Sequence, residues 1–114
     1  MSETLGQKQR RFTKMLQVLL ERAHDMGYEL TVGDAFRDPR VFGIHGDKKA
    51  GSYSAAYSNH KLRLAIDLNL FKDGEYLTTD EAHAPLKDFW ESIGGGKRIP
   101  GDSNHYSLEH EGRR

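Results

Sequence analysis

An α+β domain, with a short antiparallel sheet and helices packed against it, is what this sequence predicts, and three patterns predict it. Apolar residues recur at three- and four-residue steps over 6–26, strict alternation runs from 62 to 70, and a second helical stripe follows Thr79. Those two periods belong to helix and strand respectively. At 114 residues the chain can bury one modest core and not two, so a single domain over residues 1–114 is expected.

In the first helix, Phe12, Met15, Leu16, Leu19, Ala23 and Met26 form the apolar stripe, and Gly27 supplies a C-terminal stop. Residues 28–36 then alternate, with Leu30 and Val32 on one face, which predicts a strand running into Arg37-Asp38-Pro39. Residues 38–57 are rich in Gly, Ser, Lys and Tyr without a period. Connections of that length are commonly functional. From 62 to 70 every second residue is Leu or Ile, so Leu62, Leu64, Ile66, Leu68 and Leu70 face one way, and Arg63, Ala65, Asp67 and Asn69 the other. Residues 72–75 turn the chain. Thr78-Thr79-Asp80-Glu81 offers capping-box chemistry ahead of a helix carrying Leu86, Phe89, Trp90 and Ile93, which Gly94-Gly95-Gly96 ends. Residues 105–110 read as a last short strand with Tyr106 and Leu108 on one face.

Composition narrows the function. Lys plus Arg and Asp plus Glu balance at 17 each, so no global charge argues for a nucleic-acid partner. Lys8-Gln9-Arg10-Arg11 and Arg113-Arg114 read as solvated ends. The chain lacks cysteine, which excludes a disulfide framework. No apolar run approaches the roughly 18 residues of a membrane span, and no secretion signal is evident. A monomer, made in and initially soluble in the cytoplasm, is expected; if its substrate lies outside the inner membrane, something else must let it through.

Two short segments carry chemistry. Ser58-Asn59-His60 and Ala65-Ile66-Asp67 supply an imidazole and a carboxylate, and Asp102-Ser103-Asn104-His105 supplies another of each. A catalytic zinc keeps three protein ligands and leaves a position for water, whereas structural zinc takes four, often cysteines. Seven extended residues would separate His60 from Asp67 by about 23 Å, far more than bonds of about 2 Å allow, so the chain must bend between them, at residues 61–63. Ala65 lies on the same face as Asp67 and leaves room beside it. Asp102 and His105 differ by an odd number, so they converge only if residues 101–104 are irregular, which Pro100-Gly101 favours. Arg37 is the candidate for stabilising an oxyanion, because guanidinium is always charged and presents fixed donors.

These residues resemble the LAS-type zinc peptidases, the family of bacterial D-Ala-D-Ala carboxypeptidases and dipeptidases and of phage L-alanyl-D-glutamate endolysins. The family pattern is Ser-x-His, a short bend, Ala-x-Asp, and later a carboxylate three residues before a last His. Here Ser58, His60, Ala65, Asp67, Asp102 and His105 match it, within a likeness running from about residue 28 to 110. The resemblance implies a hedgehog/D-Ala-D-Ala-peptidase-like fold and Zn2+ bound by His60, Asp67 and His105. It also implies Asp102 as general base, Arg37 polarising the scissile carbonyl, and Ser58 supporting the site or touching substrate. The implied partner is the bacterial peptidoglycan stem peptide. Small size and Asp at the base position resemble the phage branch, hence L-Ala-D-Glu cleavage first and D-Ala-D-Ala carboxypeptidase activity as the alternative. One departure is Arg63, where many relatives have Gly; since Arg is costly at positive φ, a bend of another form is expected.

Other readings compete. Two histidines and an aspartate also suit Mn, Fe or Co. A zinc-binding recognition module without catalysis would have no use for Asp102, and a His-Asn-His nuclease would need a downstream helix that the nine residues after His105 cannot supply. Phe89 and Trp90 are expected in the core, His24, His45 and His83 at the surface, and His110 at a strand edge or in the core.

Overall fold

The computed structural model describes residues 3–38, 44, 46 and 58–114. Its order is α1 (Leu5–Asp25), β1 (Glu29–Val32), a 3-10 turn (Asn59–Leu62), β2 (Ala65–Lys72), β3 (Glu75–Leu77), α2 (Asp80–Ser92) and β4 (His105–Ser107). The architecture is α+β: two helices and a four-stranded antiparallel sheet. Most of the 38–57 stretch, His45 included, lies outside the described residues.

β2 is the central strand. β1 pairs along one edge, from Glu29 with Phe71 to Val32 with Leu68. β3 and β4 share the other edge: Leu70 faces Leu77, and Asp67 faces His105. The register follows from the alternation in β2, since a one-residue slip would turn every leucine outward. Leu64, Ile66, Leu68 and Leu70 are buried and meet Phe12, Met15, Leu19 and Ala23 of α1, Leu86 and Trp90 of α2, and Tyr106 and Leu108. Both helices therefore lie against one sheet face. The other face carries Asp67, Asn69 and Phe71.

Local chemistry fixes the helix ends. Thr4 and Gln7 form a reciprocal capping box at the start of α1. In α2 the N-cap is Thr79, accepting from the Ala82 amide, so the box expected from Thr78 and Glu81 does not form: the third helical residue is alanine. Trp90 Nε1 donates to the Ser107 carbonyl at 2.9 Å, tying α2 to β4. A side chain at Gly95 would put its Cβ 2.3 Å from the Trp90 ring, so the chain can leave α2 over this indole only as glycine.

Three strand limits differ from the sequence reading. β1 ends at Val32, not at Phe36, and Val32 is exposed. β2 begins at Ala65 because the preceding residues are spent on the 3-10 turn, which places Leu62 at a half-buried site beside the core. β4 is likewise short and stops at Ser107. His24 is exposed as expected, whereas His83 is buried on the inner face of α2. No helix among the described residues is long and apolar enough to cross a membrane.

Candidate metal centre

The chain after β1 leaves the regular ladder yet keeps close to β2. The Gly33 amide donates to the Asp67 carbonyl at 2.8 Å, and the Asp67 amide donates to the Asp34 carbonyl at 2.7 Å. Both backbone groups of Asp67 are thereby fixed. A Cβ at Gly33 would lie 3.2 Å from the Asp67 Cβ, so the absence of a side chain there lets the carboxylate keep its position. Two residues on, the Ala35 carbonyl lies 2.8 Å from His60 Nδ1, and the Arg37 amide donates to the His60 carbonyl at 3.2 Å. Residues 33–37 thus wrap both Asp67 and His60, which is why they do not continue as a strand.

His60 sits in the 3-10 turn. Ser58 caps it, its Oγ accepting from the His60 amide, and Asn59 anchors it by donating from Nδ2 to the carbonyls of Leu108 and Arg113. The turn closes at Arg63 with φ 58° and ψ 33°. The bend therefore does require the left-handed region that the sequence reading expected this chain to avoid. Its guanidinium lies over the Phe36 ring at 4.0 Å, a cation–π contact that offsets part of the strain.

A carbonyl only accepts, so the Ala35 contact assigns the hydrogen of neutral His60 to Nδ1 and leaves a lone pair on Nε2. That lone pair points into a cluster. His60 Nε2 is 3.0 Å from Asp67 Oδ1 and 3.2 Å from His105 Nδ1, and His105 Nδ1 is 3.7 Å from Asp67 Oδ1. Zinc bonds of about 2.0–2.1 Å at tetrahedral angles hold ligand atoms about 3.3–3.5 Å apart. The observed triangle brackets that spacing. These residues are the group of metal-ligating side chains found among the described residues.

The electrostatics agree with a cation site. Asp67 Oδ1 is enclosed without a well-directed hydrogen bond among the described residues, although two ring nitrogens crowd it. Burial by itself would raise the Asp67 carboxyl, but His105 and His60 together hold it far below the usual carboxylate range. A buried anion and two facing imidazoles need positive charge among them, as protons or as a metal. Histidines, a carboxylate and this spacing fit zinc.

No family model and no curated protein matches the chain. What the site can do is therefore argued from its own atoms.

Asp102 stands beside the cluster, 49% exposed, with Oδ2 4.0 Å from His105 Nδ1. Residues 101–104 form the irregular turn expected, with φ 79° at Gly101, and the Asp102 carbonyl accepts from the His105 amide. Arg37 lies on the turn side of the site: Nη1 donates to Ser58 Oγ at 3.2 Å, and Nε is 3.5 Å from Asp34 Oδ2. Ser58 accordingly links the guanidinium to the turn that carries His60. The structure brings His60, Asp67 and His105 together, with Asp102 next to His105 and Arg37 next to Ser58.

Several supporting groups escape a motif reading. Gly33, Asp34 and Ala35 reach Asp67 and His60 through backbone atoms, which carry no side-chain signature. Lys87 reaches from α2 to the His105 carbonyl and holds the start of β4. Burial pushes its ammonium down to about 8, partly offset by Asp102. A signal for Lys87 does exist in the sequence, since His83, Leu86, Lys87 and Trp90 share one helical stripe.

Proposed function

We propose that this chain is a zinc-dependent peptidase of bacterial peptidoglycan, hydrolysing a stem-peptide bond, with L-Ala-D-Glu the first choice. The observation that carries the reading is the convergence of His60, Asp67 and His105, from three separate elements, at ligand spacing with a half-exposed carboxylate beside them. The peptide substrate is argued from the motif resemblance, which these same residues carry.

When bound, zinc would supply Lewis acidity and bring the pKa of a coordinated water near 7. The chain's own groups do the rest. Asp102, open to solvent at the edge of the cluster, accepts the proton of the attacking water and passes it to the leaving amine. Arg37, held by Ser58 and by Asp34, offers a fixed positive charge to the developing oxyanion. His60 keeps its hydrogen on Nδ1 through Ala35, which leaves the Nε2 lone pair directed at the cluster as a ligand.

The test is mass spectrometry of the products after purified peptidoglycan is incubated with zinc-loaded protein, alongside Asp102→Ala. New amino termini on D-Glu, lost in a variant that still binds zinc, are the expected result. Release of free D-Ala would move the assignment to a D-Ala-D-Ala carboxypeptidase. No cleavage by folded, zinc-loaded wild type would reject the peptidase reading and favour a zinc-binding recognition module.

A further inference from the structure

Both helices lie on the leucine face of the sheet, and the opposite face begins at the metal ligands, where Asp67 of β2 stands beside His105 of β4. Two residues further along β2 comes Asn69, paired with Thr31 of β1, and two further comes Phe71, paired with Tyr76 of β3. Strand geometry puts these about 7 Å and about 13 Å from Asp67. Phe71 and Tyr76 stack with ring centres 5.0 Å apart and planes 24° from parallel, and Tyr76 is 52% exposed. The far end of the face is therefore an aromatic surface, held by stacking and open to solvent.

Between the metal ligands and that surface the groups are polar and uncharged. Asn69 Oδ1 accepts from the Tyr76 hydroxyl at 3.3 Å and from Asn104 Nδ2 at 3.0 Å, while Asn69 Nδ2 donates to Thr31 Oγ1 at 3.2 Å. These bonds fix the side chains before any ligand arrives. Each amide nitrogen has a second hydrogen and Thr31 Oγ1 a hydroxyl proton, which suits them to hydroxyl and acetamido groups. Among the described strands the next charge on this face is Glu29, opposite Phe71, and Lys72 turns away to lie over Tyr28. A carboxylate laid here would lose water and meet no cation. Aromatic ring, amides and hydroxyl together suit a neutral ring with an apolar side and polar substituents, which is a sugar.

We infer that this face, from Asn69 to Tyr76, binds the amino sugar to which the stem peptide is joined, and so sets a preference for peptide still attached to glycan. The inference rests on the peptidase reading, which puts the scissile bond at the metal. A stem peptide hangs from its amino sugar by a lactyl amide, so for the L-Ala-D-Glu bond one alanine and the lactyl group separate the reacting carbonyl from the ring. Those two units span about 7 Å when extended, which brings the sugar over Asn69 with its far side against Tyr76. They are also the neutral part of the substrate. For a D-Ala-D-Ala bond the acidic residues of the stem would fall on this stretch, where no cation of the described strands meets them. The face thereby favours the L-Ala-D-Glu bond over the carboxypeptidase alternative.

The test has a cleavage arm and a binding arm, both with the zinc-loaded full chain. In the first, N-acetylmuramoyl stem peptide and the same peptide acetylated at its L-Ala amine are compared as substrates. Wild type should show a KM about tenfold lower for the sugar-bearing peptide with similar kcat. Tyr76→Ala should bring the two KM values within about twofold, and Tyr76→Phe, which keeps the ring, should retain most of the difference. In the second arm, N-acetylmuramoyl-L-alanine and N-acetyl-L-alanine are titrated by NMR and followed at the amides of Asn69, Phe71 and Tyr76. Saturable shifts, about tenfold tighter with the sugar and levelled by Tyr76→Ala, are expected. Equal KM values in wild type, or a preference that Tyr76→Ala leaves intact, would overturn the inference and leave the peptidase standing. If neither peptide is cut, the peptidase reading fails and the binding arm decides: equal affinities for the two probes overturn this inference as well, and tighter sugar binding through Tyr76 retains the sugar site.

Discussion

His83 is where a single proton matters to the fold. The Leu77 carbonyl at its Nε2 can only accept, so Nε2 carries the hydrogen and Nδ1 accepts from Tyr106, a neutral ring satisfied on both sides. Burial lowers its pKa below the ordinary value near 6.5, with Lys87 adding to the effect. An unfolded chain therefore takes up a proton, as pH falls through 6.5, that the folded protein refuses until lower pH. Stability contributed by the neutral ring is full above 6.5, declines below it, and levels off beneath the folded pKa. His83→Gln, whose amide can donate to Leu77 and accept from Tyr106, should lose that slope. Urea unfolding between pH 7.5 and 4.5 checks this, and equal slopes in both proteins would refute it. At the metal cluster the residue to change is Gly33. Gly33→Val should shift the Asp67 carboxylate and weaken zinc binding by about tenfold with the fold retained, as competition against a chromogenic chelator would read.

Among elements, the turn from Ser58 to Arg63 decides whether His60 reaches Asp67. Arg63 occupies the left-handed region at a cost of about 1–2 kcal/mol, and its contact with Phe36 returns about 0.5–1 kcal/mol. Arg63→Gly should thus raise stability by up to about 1 kcal/mol without altering zinc affinity, and a loss of stability in denaturant melts would show that the cation–π contact outweighs the strain. The need for a bend was legible, because seven extended residues cannot place two ligands on one ion; its backbone form was not, because Arg at that position argues against the conformation it adopts. The central strand was legible from its leucines, since burial of one face dictates alternation. The early end of β1 was hidden: Leu30 and Val32 satisfy a strand pattern, while the departure at Gly33 is set by backbone bonds to Asp67 and His60 from elsewhere in the sequence. His83 was misplaced for a similar reason, as its partners Tyr106 and Leu77 are brought to it by the sheet.

For the whole molecule, the cluster joins parts of the chain that would otherwise separate. His60 comes from the turn, Asp67 from the central strand, and His105 from a three-residue strand that is held by β2, Lys87 and Trp90. Unfolding disperses all three, so an ion bound by them binds the native state and leaves the unfolded chain with isolated side chains. Mass action then raises stability by about 2.7 kcal/mol at a free zinc concentration a hundred times the dissociation constant. For a chain of this size that corresponds to roughly 10 °C in the melting temperature. Differential scanning calorimetry with zinc and with EDTA should show the shift, reversed by the chelator. Asp67→Asn keeps the side-chain size while removing the charge, and its melting temperature should not respond to zinc. Asp102→Ala should respond as the wild type does, because that carboxylate stands beside the ligand set rather than within it. A zinc response retained in Asp67→Asn would place the ion elsewhere, and the peptidase argument would lose its foundation with it.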